Sequence, residues 1–66
     1  MTEKEARNKL KSYREIDEDT GEEYGYQIVK SLSPDGNGYL FECMQKGTDF
    51  VCVMAVYPED ILMVPQ

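Results

Sequence analysis

The stretch from Tyr39 to Tyr57 constrains this chain more than any other, because it reads as one β-hairpin whose register can be worked out. Tyr39–Gln45 and Phe50–Val56 are both rich in β-branched and aromatic residues, which suit a pleated, half-buried surface. Between them lies Lys46-Gly47-Thr48-Asp49, with glycine first in a two-residue tip, as a type II′ turn requires. Pairing outward from that tip sets Lys46 against Asp49, Gln45 against Phe50, Met44 against Val51 and Cys43 against Cys52. These are the only two cysteines in the chain. The register puts them at a non-hydrogen-bonded pair, where Cα atoms approach to about 4.5 Å, within reach of a disulfide.

The same register sorts the side chains onto two faces. Tyr39, Phe41 and Cys43 stand against Val56, Met54 and Cys52, with Phe50 near the tip. This face is apolar throughout and is predicted to be core. The other carries Leu40, Glu42 and Met44 against Ala55, Val53 and Val51. It is half apolar, and the N-terminal helix is expected to cover it. On the core face, Cys43 and Cys52 read as small hydrophobes in a reducing compartment. The alternative, a redox pair, needs exposure and a lowered pKa, and a core strand without a basic neighbour supplies neither.

Upstream, Thr2-Glu3-Lys4-Glu5 has capping-box spacing, and Ala6, Leu10 and Tyr13 recur on one helical face. Glu3–Arg7 and Glu5–Lys9 are i,i+4 pairs in the favourable order, each stabilising by about 0.3 kcal/mol. A helix over 3–15 follows, packing its narrow stripe on the sheet with Ile16 as the next contact. Lys4, Lys11 and Arg14 lie off the stripe and read as a solvated face.

Charge is uneven along the chain. Residues 1–14 hold five Lys/Arg against two Glu, whereas 15–23 hold six carboxylates and no base. Those six, Glu15, Asp17, Glu18, Asp19, Glu22 and Glu23, are the candidate interaction surface. Asp17–Glu23 has no apolar residue and contains Gly21, so 16–23 reads as a mobile acidic loop. Its carboxylates lack ordered ligand spacing, and a solvated linker explains them better than a cation site.

Tyr24–Leu32 reads as one strand with Tyr24, Tyr26, Ile28, Lys30 and Leu32 on one face and Val29 on the other. Ser33–Gly38 is a turn cluster that joins it to the hairpin. Counted as an EF-hand loop from Ser33, the cluster offers Asp35, Asn37 and Gly38, but its twelfth position is Met44, not a bidentate Glu. A hairpin turn accounts for the same residues. Pro58 ends the long strand, and Tyr57-Pro58-Glu59-Asp60 turns the chain into a final run, Ile61–Val64.

This ending, Val56-Tyr57-Pro58-Glu59-Asp60-Ile61-Leu62-Met63-Val64, resembles the end of a Src-homology-3-like small barrel. There a long hairpin meets a tight aromatic-Pro-polar-polar turn and a short closing strand. The resemblance covers about the last 28 residues and is a likeness of fold alone. It implies a curled sheet. It does not imply proline-peptide binding, because the chain has no Trp and only four strands are counted.

The fold expected is therefore α+β, mostly β, in a single domain over 1–66: a helix at 3–15, an acidic loop at 16–23 and an antiparallel sheet of about four strands at 24–66. A chain of 66 residues buries only about 60% of its unfolded surface, so it has a thin core and no deep pocket. It has no apolar run of spanning length and no apolar leader, and the expectation is a cytoplasmic protein without a membrane partner. Lacking His, it has no Ser/His or Cys/His dyad and no Cys/His zinc set. A net charge of −6 disfavours nucleic acid as a direct partner. What remains is a small, acidic, non-enzymatic interaction or regulatory module whose partner is another protein, a second copy included. No cofactor is expected. The alternative is an acidic mimic that occupies the nucleic-acid site of a DNA- or RNA-binding protein.

Overall fold

The helix starts where the sequence sets its cap. Thr2 Oγ1 accepts the Glu5 N–H at 3.1 Å, and Glu5 Oε1 accepts the Thr2 N–H at 2.7 Å. These bonds, the Thr2 backbone first, hold the Glu5 carboxyl below the usual range. The computed structural model describes residues 1–65. In chain order it contains α1 (Glu3–Ser12), β1 (Glu15–Ile16), β2 (Glu23–Tyr24), β3 (Tyr26–Asp35), β4 (Gly38–Gln45), β5 (Val51–Val56) and β6 (Ile61–Met63).

The helix ends at Ser12, short of the predicted residue 15. Tyr13 is already extended and donates its N–H to the Leu10 carbonyl at 3.1 Å. Glu15 and Ile16 are taken into a strand instead, pairing antiparallel with Tyr24 and Glu23. Predicted as a mobile loop, 16–23 is thus a small hairpin, and Ile16 is 65% exposed, not packed on the core. Its turn is ordered by Asp17, whose Oδ1 accepts the Asp19 N–H at 2.8 Å and whose carbonyl accepts the Gly21 N–H at 2.7 Å. Composition predicts disorder here, but local side-chain bonds of this kind suffice for a turn.

Strands β3-β4-β5-β6 form an antiparallel meander in that spatial order. Among the described residues β3 and β6 are opposite edges, so the sheet is open and does not close into a barrel. Tyr24 belongs to β2, and β3 begins only after Gly25. Within β3 the partners step from Ile28↔Cys43 to Lys30↔Glu42, leaving Val29 as an extra residue. A bulge of this kind reverses the alternation of faces. Lys30 therefore stands beside Glu42 on the face opposite Ile28, correcting the single face read from the sequence.

The β4–β5 register is the one predicted, with Cys43 opposite Cys52 and Met44 opposite Val51. The tip is not. The Thr48 N–H donates to the Gln45 carbonyl at 3.2 Å, so Gly47 (φ 83°) sits third in a turn that begins one residue early. The type II′ arrangement occurs in the other hairpin, where Gly36 (φ 61°) is first of the two residues between Asp35 and Gly38. The shifted tip changes the class of the cysteine pair. The Gln45 N–H donates to the Phe50 carbonyl at 2.9 Å, which makes that pair hydrogen-bonded. Two residues on, Cys43–Cys52 is hydrogen-bonded as well, with Cα atoms about 5.5 Å apart.

The helix covers the Phe41 face, not the Leu40 face. Ala6 and Leu10 are fully buried against Phe41, Cys43, Cys52, Met54 and Val56, and Tyr13 packs beside them. Arg7 lies over the Phe41 ring at 5.5 Å, and Lys9 Nζ donates to the Tyr57 and Pro58 carbonyls at 2.8 and 2.7 Å. A narrow helical stripe gains most where the sheet is most apolar. Among the described residues, that preference leaves the half-apolar face without a cover.

Candidate functional site

Alternation along β4, β5 and β6 turns Leu40, Met44, Val51, Val53 and Leu62 away from the helix. Val51 and Leu62 are 47% and 50% exposed, and Leu40, Met44 and Val53 are half-buried. Among the described residues no element lies over them. Four strands at about 4.8 Å spacing and some six residues at about 3.3 Å rise give a face of roughly 400 Å². Its apolar part, carried by β4, β5 and β6, falls at the lower end of the largest apolar patches of ordinary monomers, which are often functional. The polar residues on it are few: Gln27 opposite Met44, and Lys30 paired with Glu42 at 3.9 Å.

The six acidic residues singled out in the sequence divide into two groups. Glu15 points inward and accepts three phenols: Tyr13 at 3.0 Å, Tyr24 at 2.9 Å and Tyr26 at 3.3 Å. Burial, then the bond to Glu15, pushes the Tyr13 hydroxyl up to about 12. Burial and the Glu15 charge raise Tyr26, and the bond to Glu15 raises Tyr24. Asp17 caps its own turn. Glu18, Asp19, Glu22 and Glu23 are exposed on this turn and the strand after it. The interaction surface read from the sequence thus retains four outward carboxylates, carried on an ordered hairpin. The phenol cluster was missed because no sequence spacing announces that residues 13, 15, 24 and 26 will meet.

Cys43 and Cys52 are brought together as predicted, and both thiols are free and buried. Burial, then the neighbouring Cys52, pushes the Cys43 thiol up to about 11. Burial followed by the Glu15 carboxylate raises Cys52. Both shifts disfavour the thiolate that redox chemistry requires. No group of three or more His, Cys, Asp or Glu suited to a metal ion occurs among the described residues. No described helix is long and apolar enough to cross a membrane.

No protein-family model, curated protein or solved structure matches this chain.

Proposed function

We propose that this protein is a non-enzymatic interaction module that binds another protein through the uncovered face of its sheet. The observation that carries this reading is the one-sided helix: it covers the Phe41 face and, among the described residues, leaves Val51 and Leu62 exposed and Leu40, Met44 and Val53 half-buried with no element over them. Two copies meeting face to face would bury about 800 Å² in total, short of the 1,200 Å² or more of a stable complex. A larger partner that also reaches the strand ends fits better than a dimer made by this face alone. The exposed carboxylates contribute to encounter rate more than to affinity, an effect screened beyond about 8 Å at 0.15 M salt.

The test is affinity capture from a native extract with wild-type protein and a Val51→Lys, Leu62→Lys variant in parallel. Loss of the captured partner from a variant that melts normally supports the face as the contact. Retention of the same partner overturns it.

A second reading has one observation in its favour. An acidic mimic needs carboxylates held on a rigid support, and Glu18, Asp19, Glu22 and Glu23 are carried on an ordered hairpin. If the captured partner is released by added nucleic acid, and by Glu18→Lys with Glu22→Lys, this reading replaces the first.

A further inference from the structure

Against thirteen acids the chain has seven basic side chains, and most are engaged internally. Arg14 Nη1 donates to the Lys11 and Tyr13 carbonyls, Lys9 to the Tyr57 and Pro58 carbonyls, and Lys30 pairs with Glu42. Among the described residues this leaves the ammonium groups of Lys4, Lys11 and Lys46 without a hydrogen bond or ion pair. Two of the three converge on one place.

That place is a groove of about 490 Å³ between α1 and the start of β3, lined by Arg7, Lys11, Tyr26, Gln27, Ile28 and Lys46. Three of six lining residues are cationic and none is acidic, in a chain where acids outnumber bases by thirteen to seven. Arg7 and Lys11 are i,i+4 on the helix and so rise from the same side, about 5–6 Å apart at Cβ. Lys46 borders the same groove from just beyond β4, where its N–H donates to the Gly25 carbonyl at 3.0 Å. The Arg7 guanidinium is held by Nε on Glu3 at 3.3 Å and by the Ser31 hydroxyl. Its Nη1 has no partner among the described residues. A guanidinium already fixed in place loses little further freedom when a ligand arrives.

We infer that this groove binds a short acidic peptide segment of another protein. Carboxylates of the peptide meet Arg7, Lys11 and Lys46, and an aliphatic side chain rests on the half-buried Ile28. A nucleic-acid strand fits the groove less well, because it would continue onto a surface that is strongly negative overall. The groove runs along the β3 edge and shares Gln27 with the uncovered sheet face, but its cations Arg7, Lys11 and Lys46 are untouched by the Val51→Lys, Leu62→Lys variant, so the two sites are tested separately.

Fluorescence anisotropy with a labelled peptide of alternating glutamate and leucine, added to the full chain, tests this. Saturable one-to-one binding is expected. Lys11→Glu combined with Lys46→Glu should weaken it roughly tenfold, and glutamine in place of glutamate in the peptide should do the same. Lys4→Glu, on the same helix but outside the groove, should stay within about twofold of wild type. Unchanged circular dichroism and melting would show that the variants fold. No saturable binding, or an equal loss in Lys4→Glu, would overturn the proposal. Displacement of the peptide by inorganic phosphate at matched ionic strength would also overturn it, assigning the groove to small anions.

Discussion

Tyr24 stands opposite Glu15 in the β1–β2 ladder, and its hydroxyl donates to Glu15 Oε2 at 2.9 Å. Tyr13 from the end of the helix and Tyr26 from the start of β3 donate to the other oxygen of the same carboxylate. One side chain thus ties the helix, the acidic hairpin and the edge of the main sheet together. Tyr26 also stacks on Tyr13, with centroids 6.3 Å apart, and meets Tyr24 edge-on at 5.9 Å.

This arrangement fixes how stability should depend on alkaline pH. All three phenols have raised pKa values in the folded protein, so folding favours their neutral form. Their contribution is complete below the ordinary phenol value of about 10 and is lost as pH rises from there through the Tyr13 value of about 12. Spectrophotometric titration should show at least one phenolate appearing late, together with unfolding. Glu15→Gln should move that step to lower pH, and Glu15→Ala should cost about 1–2 kcal/mol at neutral pH. Three tyrosines ionising together near their ordinary value would contradict the cluster.

Leu10 is the larger of the two fully buried helix residues. Leu10→Ala should lower stability by about 2–4 kcal/mol in urea denaturation, a large share of what a domain of this size possesses. Lys4→Ala, at an exposed position on the same helix, should change it by less than about 0.5 kcal/mol. Equal midpoints for the two variants would mean that the helix is a free arm.

Gly38 is required by contact. A Cβ there would lie 2.4 Å from the Tyr57 ring and 2.5 Å from the Val56 carbonyl oxygen. The carbonyl belongs to a paired strand and cannot withdraw, so Gly38→Ala should cost about 1–3 kcal/mol. A Cβ at Gly36 would meet nothing within 4 Å among the described residues, but its φ is 61°. Gly36→Ala should cost only about 1–2 kcal/mol, through backbone strain alone. Thermal melts of the two variants measure these costs, and a Gly38→Ala protein as stable as wild type would refute the contact.

Cys43 and Cys52 should resist alkylation in the native state near pH 8.5, where a free thiol is about half ionised. Burial and their raised pKa values restrict reaction to molecules that have opened, so labelling should follow the urea unfolding curve. Rapid labelling of folded protein would restore the redox pair as a working hypothesis.

The sequence was most legible where side-chain pattern and pairing reinforced each other. Alternation in Tyr39–Gln45 and Phe50–Val56 set the Cys43–Cys52 register, and one slip would have turned Phe41 and Met54 outward. Thr2 and Glu5 marked the helix start because a capping box is local chemistry. The failures came where a single residue altered geometry at longer range. Val29 inserts a bulge that carries Lys30 to the other face, and the turn at Gly47 starts one residue early, changing the class of the cysteine pair. The site was half legible. The mixed Leu40 face could be read from alternation, but which face the helix would cover depended on an energetic choice between two apolar surfaces. Glu15 looked like one more solvated acid because its three phenol partners come together only after folding.

The most direct measurement follows the methyl resonances of Leu40, Met44, Val51, Val53 and Leu62, free and in complex with the captured partner, in the presence of a soluble paramagnetic agent. We expect these methyls to relax strongly in the free protein and to be protected in the complex, with Leu10 and Val56 shielded in both. Protection confined to Glu18–Glu23 or to the helix, with the sheet face as exposed as before, would contradict the account.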